Sequence, residues 1–128
     1  MQYQILMQQK GNLKWITSLT DNINVHYSGN FINKYTADKY YDIFEKNIKY
    51  NSAEESKIKI FGKDIEIPRK QVGYGEPGTS YQFSGVKVSA KSWSENNILC
   101  IVLRNIRHKV ETFTGQTFNF VLINRYED

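Results

Sequence analysis

The segment Phe118-Asn119-Phe120-Val121-Leu122-Ile123-Asn124-Arg125-Tyr126-Glu127-Asp128 ends in the two side chains best suited to holding a small ligand. Its apolar run reads as a buried-type strand, and it leads into a polar Asn-x-Tyr tip. Side chains alternate along a strand, so the amide of Asn124 and the hydroxyl of Tyr126 are held in a fixed relation to each other. That arrangement suits the edge of a small-molecule site, which needs further walls that the strand alone does not supply.

Three upstream groups could supply contacts of another kind. Ile58 and Ile60 alternate with Lys57 and Lys59, a strand or ribbon that closes on Phe61-Gly62-Lys63-Asp64. Phe61, followed by Gly62, could stand out on a hairpin tip and wedge into a base stack, or it could fold back on the core. Arg69-Lys70, beside Pro68, puts positive charge on a loop, good for phosphate contact and equally good for solubility. Tyr81, Phe83 and Ser84 present two rings and a hydroxyl on a short extended piece ending at Gly85. Two rings on one face can stack on a base while a hydroxyl reads its edge, or they can form a small apolar core.

Metal and nucleophile chemistry finds less support. His26 precedes Tyr27-Ser28 and His108 precedes Lys109-Val110, so neither belongs to the His-x-Asp or His-x-Glu element of a two-histidine, one-carboxylate iron site. Cys100 lies inside Ile98-Leu99-Cys100-Ile101-Val102-Leu103 and reads as a small core residue. Glu54-Glu55 and Glu127-Asp128 are chain neighbours, which usually point apart into solvent. There is no Gly-x-Ser-x-Gly elbow and no phosphate-cradling loop.

The elements that must position these residues fit in one domain or part of one. The 128 residues are 40% hydrophobic, with a net charge of +4 and a pI near 9.1, mildly basic and compatible with a polyanionic partner. One cysteine cannot form an internal disulfide, and no leader-like segment opens the chain, which points to an intracellular compartment. No apolar run approaches the roughly 20 residues of a membrane helix, so the expectation is a soluble chain.

Residues 1–22 show no sustained period and read as a flexible arm anchored at Trp15-Ile16. Ile23, Val25 and Tyr27 then alternate with polar residues as a half-buried strand. Thr36 is a plausible cap for a helix from Ala37 to about Tyr50, with Tyr40, Tyr41, Phe44 and Ile48 as its apolar stripe. Between Ile65 and Gly85, turn residues alternate with short extended pieces, a texture of shaped surface more than packed interior. Ser94 or Asn96 could cap a helix from about Asn97 to Thr112 with Ile98, Leu99, Val102, Ile106 and Val110 inward. Thr114-Gly115 ends it, and Thr117 to Tyr126 forms the last strand.

Taken in order, Phe61-Gly62-Lys63, Pro68-Arg69-Lys70-Gln71, Tyr74-Gly75-Glu76, Tyr81-Gln82-Phe83-Ser84-Gly85, Trp93 and the block Thr114 to Tyr126 resemble the AlkB family of DNA-dealkylating dioxygenases. The likeness runs from about Ile23 to Asp128 and is greatest to the animal members that work on double-stranded DNA in the nucleus. The stretch Ser94 to Asn97 looks longer than its counterpart.

The resemblance implies an iron(II) and 2-oxoglutarate dependent enzyme that oxidatively demethylates 1-methyladenine or 3-methylcytosine in duplex DNA. It assigns Asn124 and Tyr126 to 2-oxoglutarate, and Tyr81, Phe83 and Ser84 to the flipped-base pocket with Phe83 as the stacking ring. Ile60, Phe61 and Gly62 become the finger that fills the gap, and Arg69 a basic residue beside it. The implied fold is α+β, the N-terminal portion of a double-stranded β-helix, or jelly roll, covering residues 23–128, with a recognition lid over 57–90, buttress helices and a first core strand at 117–126.

In the family the iron ligands follow the Asn-x-Tyr strand, beyond Asp128, so the expectation is a partial domain that holds no iron and is inactive alone. The last strand, apolar on both sides, would then lack pairing partners, leaving open edges and a tendency to self-associate. The alternative is a non-catalytic module that binds nucleic acid or a protein partner.

Overall fold

A computed structural model describes residues 3–8, 14–20, 22–83 and 85–127, arranged in two compact units, Met1–Asp42 and Ile43–Asp128. The first unit contains an antiparallel three-stranded sheet of β1 (Tyr3–Gln8), β2 (Lys14–Thr20) and β3 (Ile23–Tyr27), in sequential order. β3 falls where alternation predicts it, yet Val25 and Tyr27 are both exposed. Two further strands lie where no period was visible. Lys14-Trp15-Ile16-Thr17-Ser18-Leu19-Thr20 is rich in β-branched and aromatic types, and continuous pairing from Ile16↔Tyr27 to Thr20↔Ile23 organises it without clean alternation.

Helix α1 (Lys34–Asn47) begins at the end of this unit and continues into the next. Its cap is Asn33 instead of Thr36: Asn33 Oδ1 accepts from the Thr36 N–H at 2.9 Å, three residues earlier than the sequence suggests. Asn and Thr are both competent caps, so residue type alone could not choose between them.

In the second unit, Phe44, Ile48 and Tyr50 pack on the core; Tyr41 of the predicted stripe, in the first unit, is exposed. A short 3-10 turn, Glu54–Ser56, leads into the hairpin of β4 (Lys57–Ile60) and β5 (Lys63–Glu66), joined by Phe61-Gly62. The main sheet has the order β7 (Ser80–Phe83), β8 (Val86–Ser92), β6 (Lys70–Gly75), β9 (Phe120–Arg125). β6 and β8 run parallel and the other pairs antiparallel, so the sheet is mixed and the unit is α+β.

Two expectations are corrected here. The segment read as shaped surface contains the central strand, with every residue from Gln71 to Gly75 buried. The last strand does have a partner, since β9 pairs with β6 along its whole length, from Lys70↔Arg125 to Gly75↔Phe120. Turn-forming Gly73 and Gly75 hid β6 from composition. Their role is close approach: a Cβ on Gly73 would stand 2.6 Å from the Phe120 ring and 3.1 Å from Val88 Cγ1.

Helix α2 (Ile98–Thr114) starts one residue after Asn97, whose side chain accepts from the Cys100 N–H at 2.9 Å, so the cap is neither Ser94 nor Asn96. It ends, as predicted, at Gly115, whose φ of 69° is left-handed and whose N–H reaches Glu111 O. Leu99, Cys100, Val102 and Leu103 are buried, while Ile98 stands one helical step off that stripe and is 48% exposed.

A polar cluster fastens α2 to the sheet. Glu76 Oε1 accepts from Trp93 Nε1 and Arg107 Nη1, each at 3.2 Å, while Arg107 lies 4.5 Å from the Trp93 ring centre. Arg107 Nε also reaches Glu111 Oε1 at 2.8 Å, and that oxygen accepts the Phe118 N–H at 2.9 Å at the approach to β9.

Candidate functional site

Strand β6 divides the chemistry of the main sheet, because successive side chains take opposite faces. Val72 and Tyr74 join Trp93, Leu99 and Leu103 in one apolar cluster, with Val121 and Ile123 of β9 packed against it. Gln71, Gly73 and Gly75 take the other face, and their register partners there are Asn124, Leu122 and Phe120. β7 adds Tyr81 and Phe83, opposite Val88 and Val86 of β8. Four of the residues singled out from sequence therefore belong to one face: Tyr81, Phe83 and Asn124 by register, and Arg69 by contact.

The contacts on that face are specific. The Tyr81 ring is stacked 6.5 Å from Phe120 and tilted 6.2 Å from Phe83, forming an aromatic row with Tyr81 exposed and Phe83 half-buried. The Arg69 guanidinium sits 5.5 Å from the Phe83 ring centre, and Arg69 Nε donates to Asn124 Oδ1 at 3.1 Å. Glu66, Ile67, Pro68, Arg69, Lys70 and Glu127 line a cleft of about 440 Å³ beside it. Lys70 Nζ, 2.7 Å from Glu127, holds that carboxyl below the usual carboxylate range. Tyr126 follows β9 and is 67% exposed. Ser84 lies outside the described residues.

The β4–β5 hairpin is tied to the same face through Ile58, which packs against the buried cluster of Ile67, Val86 and Val88 that also receives Phe83 and Phe120. At its tip Phe61 is 102% exposed with φ 50°, and Gly62 has φ 75°. A two-residue turn with both central residues at positive φ favours Asn-Gly, so an aromatic at the first position costs about 1 kcal/mol in backbone strain. Ile60, next to it, is exposed as well.

Gln71 was not singled out from sequence. Its side chain is fully buried, and neither Nε2 nor Oε1 has a hydrogen-bond partner among the described residues. Period-two reading of Gln71-Val72-Gly73-Tyr74-Gly75 carries the signal, since Val72 and Tyr74 form one face and leave Gln71 on the other. Cys100 is buried, and His26 and His108 are exposed. Among the described residues no group of three or more His, Cys, Asp or Glu side chains could hold a metal ion, so iron(II) finds no ligand set there.

No protein-family model matches the chain. Curated proteins similar to it are DNA oxidative demethylases. It is 40% identical to the Bos taurus DNA oxidative demethylase ALKBH2 over 116 residues, 91% of this chain and 39% of that protein. It is 44% identical to the Homo sapiens ALKBH2 over 95 residues, 74% of this chain and 34% of that protein, and 42% identical to the Mus musculus ALKBH2, over 74% of this chain and 37% of that protein. The chain belongs to the AlkB family of dioxygenases. It spans less than two fifths of the length of these relatives.

Proposed function

We propose that the chain is the part of a DNA oxidative demethylase that reads an N-methylated base in duplex DNA and takes one side of the co-substrate. Phe61 is the observation that carries this reading. A large apolar ring held fully in water, on a backbone conformation it disfavours, pays twice in stability, and a base stack with a vacancy is a partner that repays both.

In this reading Ile60, Phe61 and Gly62 form the finger and Arg69 lies beside the gap. Tyr81, Phe83 and Ser84 receive the extruded base, with Phe83 as the stacking ring. The substrates are 1-methyladenine and 3-methylcytosine, recognition falls to the β4–β5 hairpin and β7, and the whole protein works in the nucleus. Asn124 and Tyr126 fit 2-oxoglutarate: both side chains carry donors suited to a carboxylate, Asn124 lying in β9 beside Arg69 and Tyr126 just past the end of that strand. Together with iron(II), 2-oxoglutarate supplies the oxidising chemistry of the family; this chain's share is to bind, orient and stack.

Fluorescence anisotropy of the chain with a labelled duplex carrying one 1-methyladenine tests the reading. Phe61→Ala and Phe83→Ala should each weaken binding about tenfold, the worth of one stacking contact. Unchanged affinity in both variants removes the proposal. Formaldehyde release from the same duplex, with iron(II) and 2-oxoglutarate added, separates a turning-over enzyme from a nucleic-acid-binding module, and native mass spectrometry reports any self-association.

A further inference from the structure

The contacts of Arg69 lead inward along the sheet. Its Nε meets Asn124 Oδ1 at 3.1 Å across 55 residues of sequence, while its guanidinium lies 5.5 Å from the Phe83 ring centre. A guanidinium can only donate, so the end of the Asn124 amide facing it must be the oxygen. The other end, the Nδ2 donor, is thereby turned away from Arg69. This matters for an anionic ligand, because an Asn amide free to flip would present its carbonyl oxygen to a carboxylate and repel it. Among the described residues Gln71, the register partner of Asn124, engages neither of its own amide ends, so it does not hold Asn124 in place of Arg69.

We propose that Arg69 is a positioning residue: it fixes the orientation of the Asn124 amide so that Nδ2 donates to a carboxylate oxygen of 2-oxoglutarate, and through its contact with Phe83 it ties that orientation to the base-stacking ring. The proposal rests on reading Asn124 as a co-substrate contact and adds the residue that sets its geometry. Charge alone does not fulfil this role. Lysine at position 69 would keep the positive charge and lose the planar, directed Nε–H.

NMR of the isotope-labelled 128-residue chain tests it, with and without 2-oxoglutarate, in the unaltered chain, Arg69→Lys, Asn124→Ala and the double variant. Backbone amide spectra that overlay outside the site establish that the variants fold. In the absence of ligand, Arg69→Lys should move the Asn124 side-chain amide resonances. On titration, it should weaken 2-oxoglutarate binding roughly fivefold, the worth of one directed hydrogen bond. In the Asn124→Ala background the same substitution should change affinity less than about twofold, as expected when one residue acts through the other.

An Arg69→Lys chain that binds like the unaltered one makes Arg69 a source of charge and overturns the proposal; so does a full loss that persists without Asn124. If the unaltered chain gives no saturable shift, the co-substrate reading fails, and an unmoved Asn124 resonance in the ligand-free Arg69→Lys spectrum separately overturns the positioning claim.

Discussion

The two faces of strand β6 are built to different rules. On the helix-covered face, Val72 and Tyr74 close against Trp93, Leu99 and Leu103, and the polar atoms at its margin are paired: Glu76, Arg107 and Glu111 form a continuous chain from the Trp93 indole to the Phe118 backbone. Burial pushes the Tyr74 hydroxyl up, as expected of a group in a dry layer. The opposite face has a smaller apolar cluster around Ile67, Val86 and Val88, an aromatic row that is exposed at Tyr81, a glycine that lets Phe120 approach, and a buried glutamine amide with no partner among the described residues. The first face holds the larger buried cluster. In the proposed reading, the second leaves surface for a ligand to complete.

Trp93→Ala should produce the largest effect. Trp93 is 2% exposed, donates to Glu76 and lies under Arg107, so truncation creates a cavity and removes one of the two donors to the half-exposed Glu76 carboxylate. Urea unfolding should show a loss of about 3–5 kcal/mol, and a loss below about 1.5 kcal/mol would mean that the helix-covered face is not the stabilising one.

Gln71→Met addresses the other side of the comparison. Replacing a buried amide that has no partner among the described residues by an apolar chain of similar size should raise unfolding stability by about 1–2 kcal/mol. Destabilisation of that size would show that the amide is paired in solution and that the two faces are equally satisfied.

A smaller shift is expected at the hairpin tip. Asn tolerates the left-handed backbone at position 61 better than Phe, so Phe61→Asn should add about 0.5–1 kcal/mol of stability. The same variant should bind methylated duplex more weakly. A variant that loses stability, or keeps full affinity, contradicts the assignment of strain to function.

The smallest effect is a pH dependence. A hydrogen bond from Arg107, and then one from the Phe118 backbone, hold the Glu111 carboxyl below the usual carboxylate range. A group depressed in the folded state contributes stability that is fully present above its unfolded pKa and lost as pH falls through the folded one. Melting temperature should therefore drop on acidification below the ordinary carboxylate range, and Glu111→Gln should flatten part of that drop. Identical slopes in the two chains would remove Glu111 from the acid-sensitive contacts.

Sequence legibility followed the same division. Helix α2 was readable because Leu99, Val102, Ile106 and Val110 repeat at helical spacing and Gly115 stops them, and the β4–β5 hairpin was readable because Lys and Ile alternate up to Phe61-Gly62. β6 was hidden, since Gly73 and Gly75 look like turn residues until Phe120 and the Asn119 carbonyl are known to press on them. Three site side chains, Tyr81, Phe83 and Asn124, could be named from type and spacing. Their presence on one face could not, because it depends on the β7–β8, β8–β6 and β6–β9 pairings together, the last of which joins segments about fifty residues apart. Gln71 escaped notice for a related reason: an unpaired amide is visible only once its surroundings are filled.

The most direct test maps where DNA binds. Backbone and side-chain NMR shifts of the chain, recorded with a duplex carrying one 1-methyladenine, should cluster at Phe61, Arg69, Tyr81 and Phe83 and leave Trp93, Leu99 and Leu103 unmoved. Shifts centred on α2 and the Trp93 cluster, or none at saturating duplex, would contradict the division of labour between the two faces.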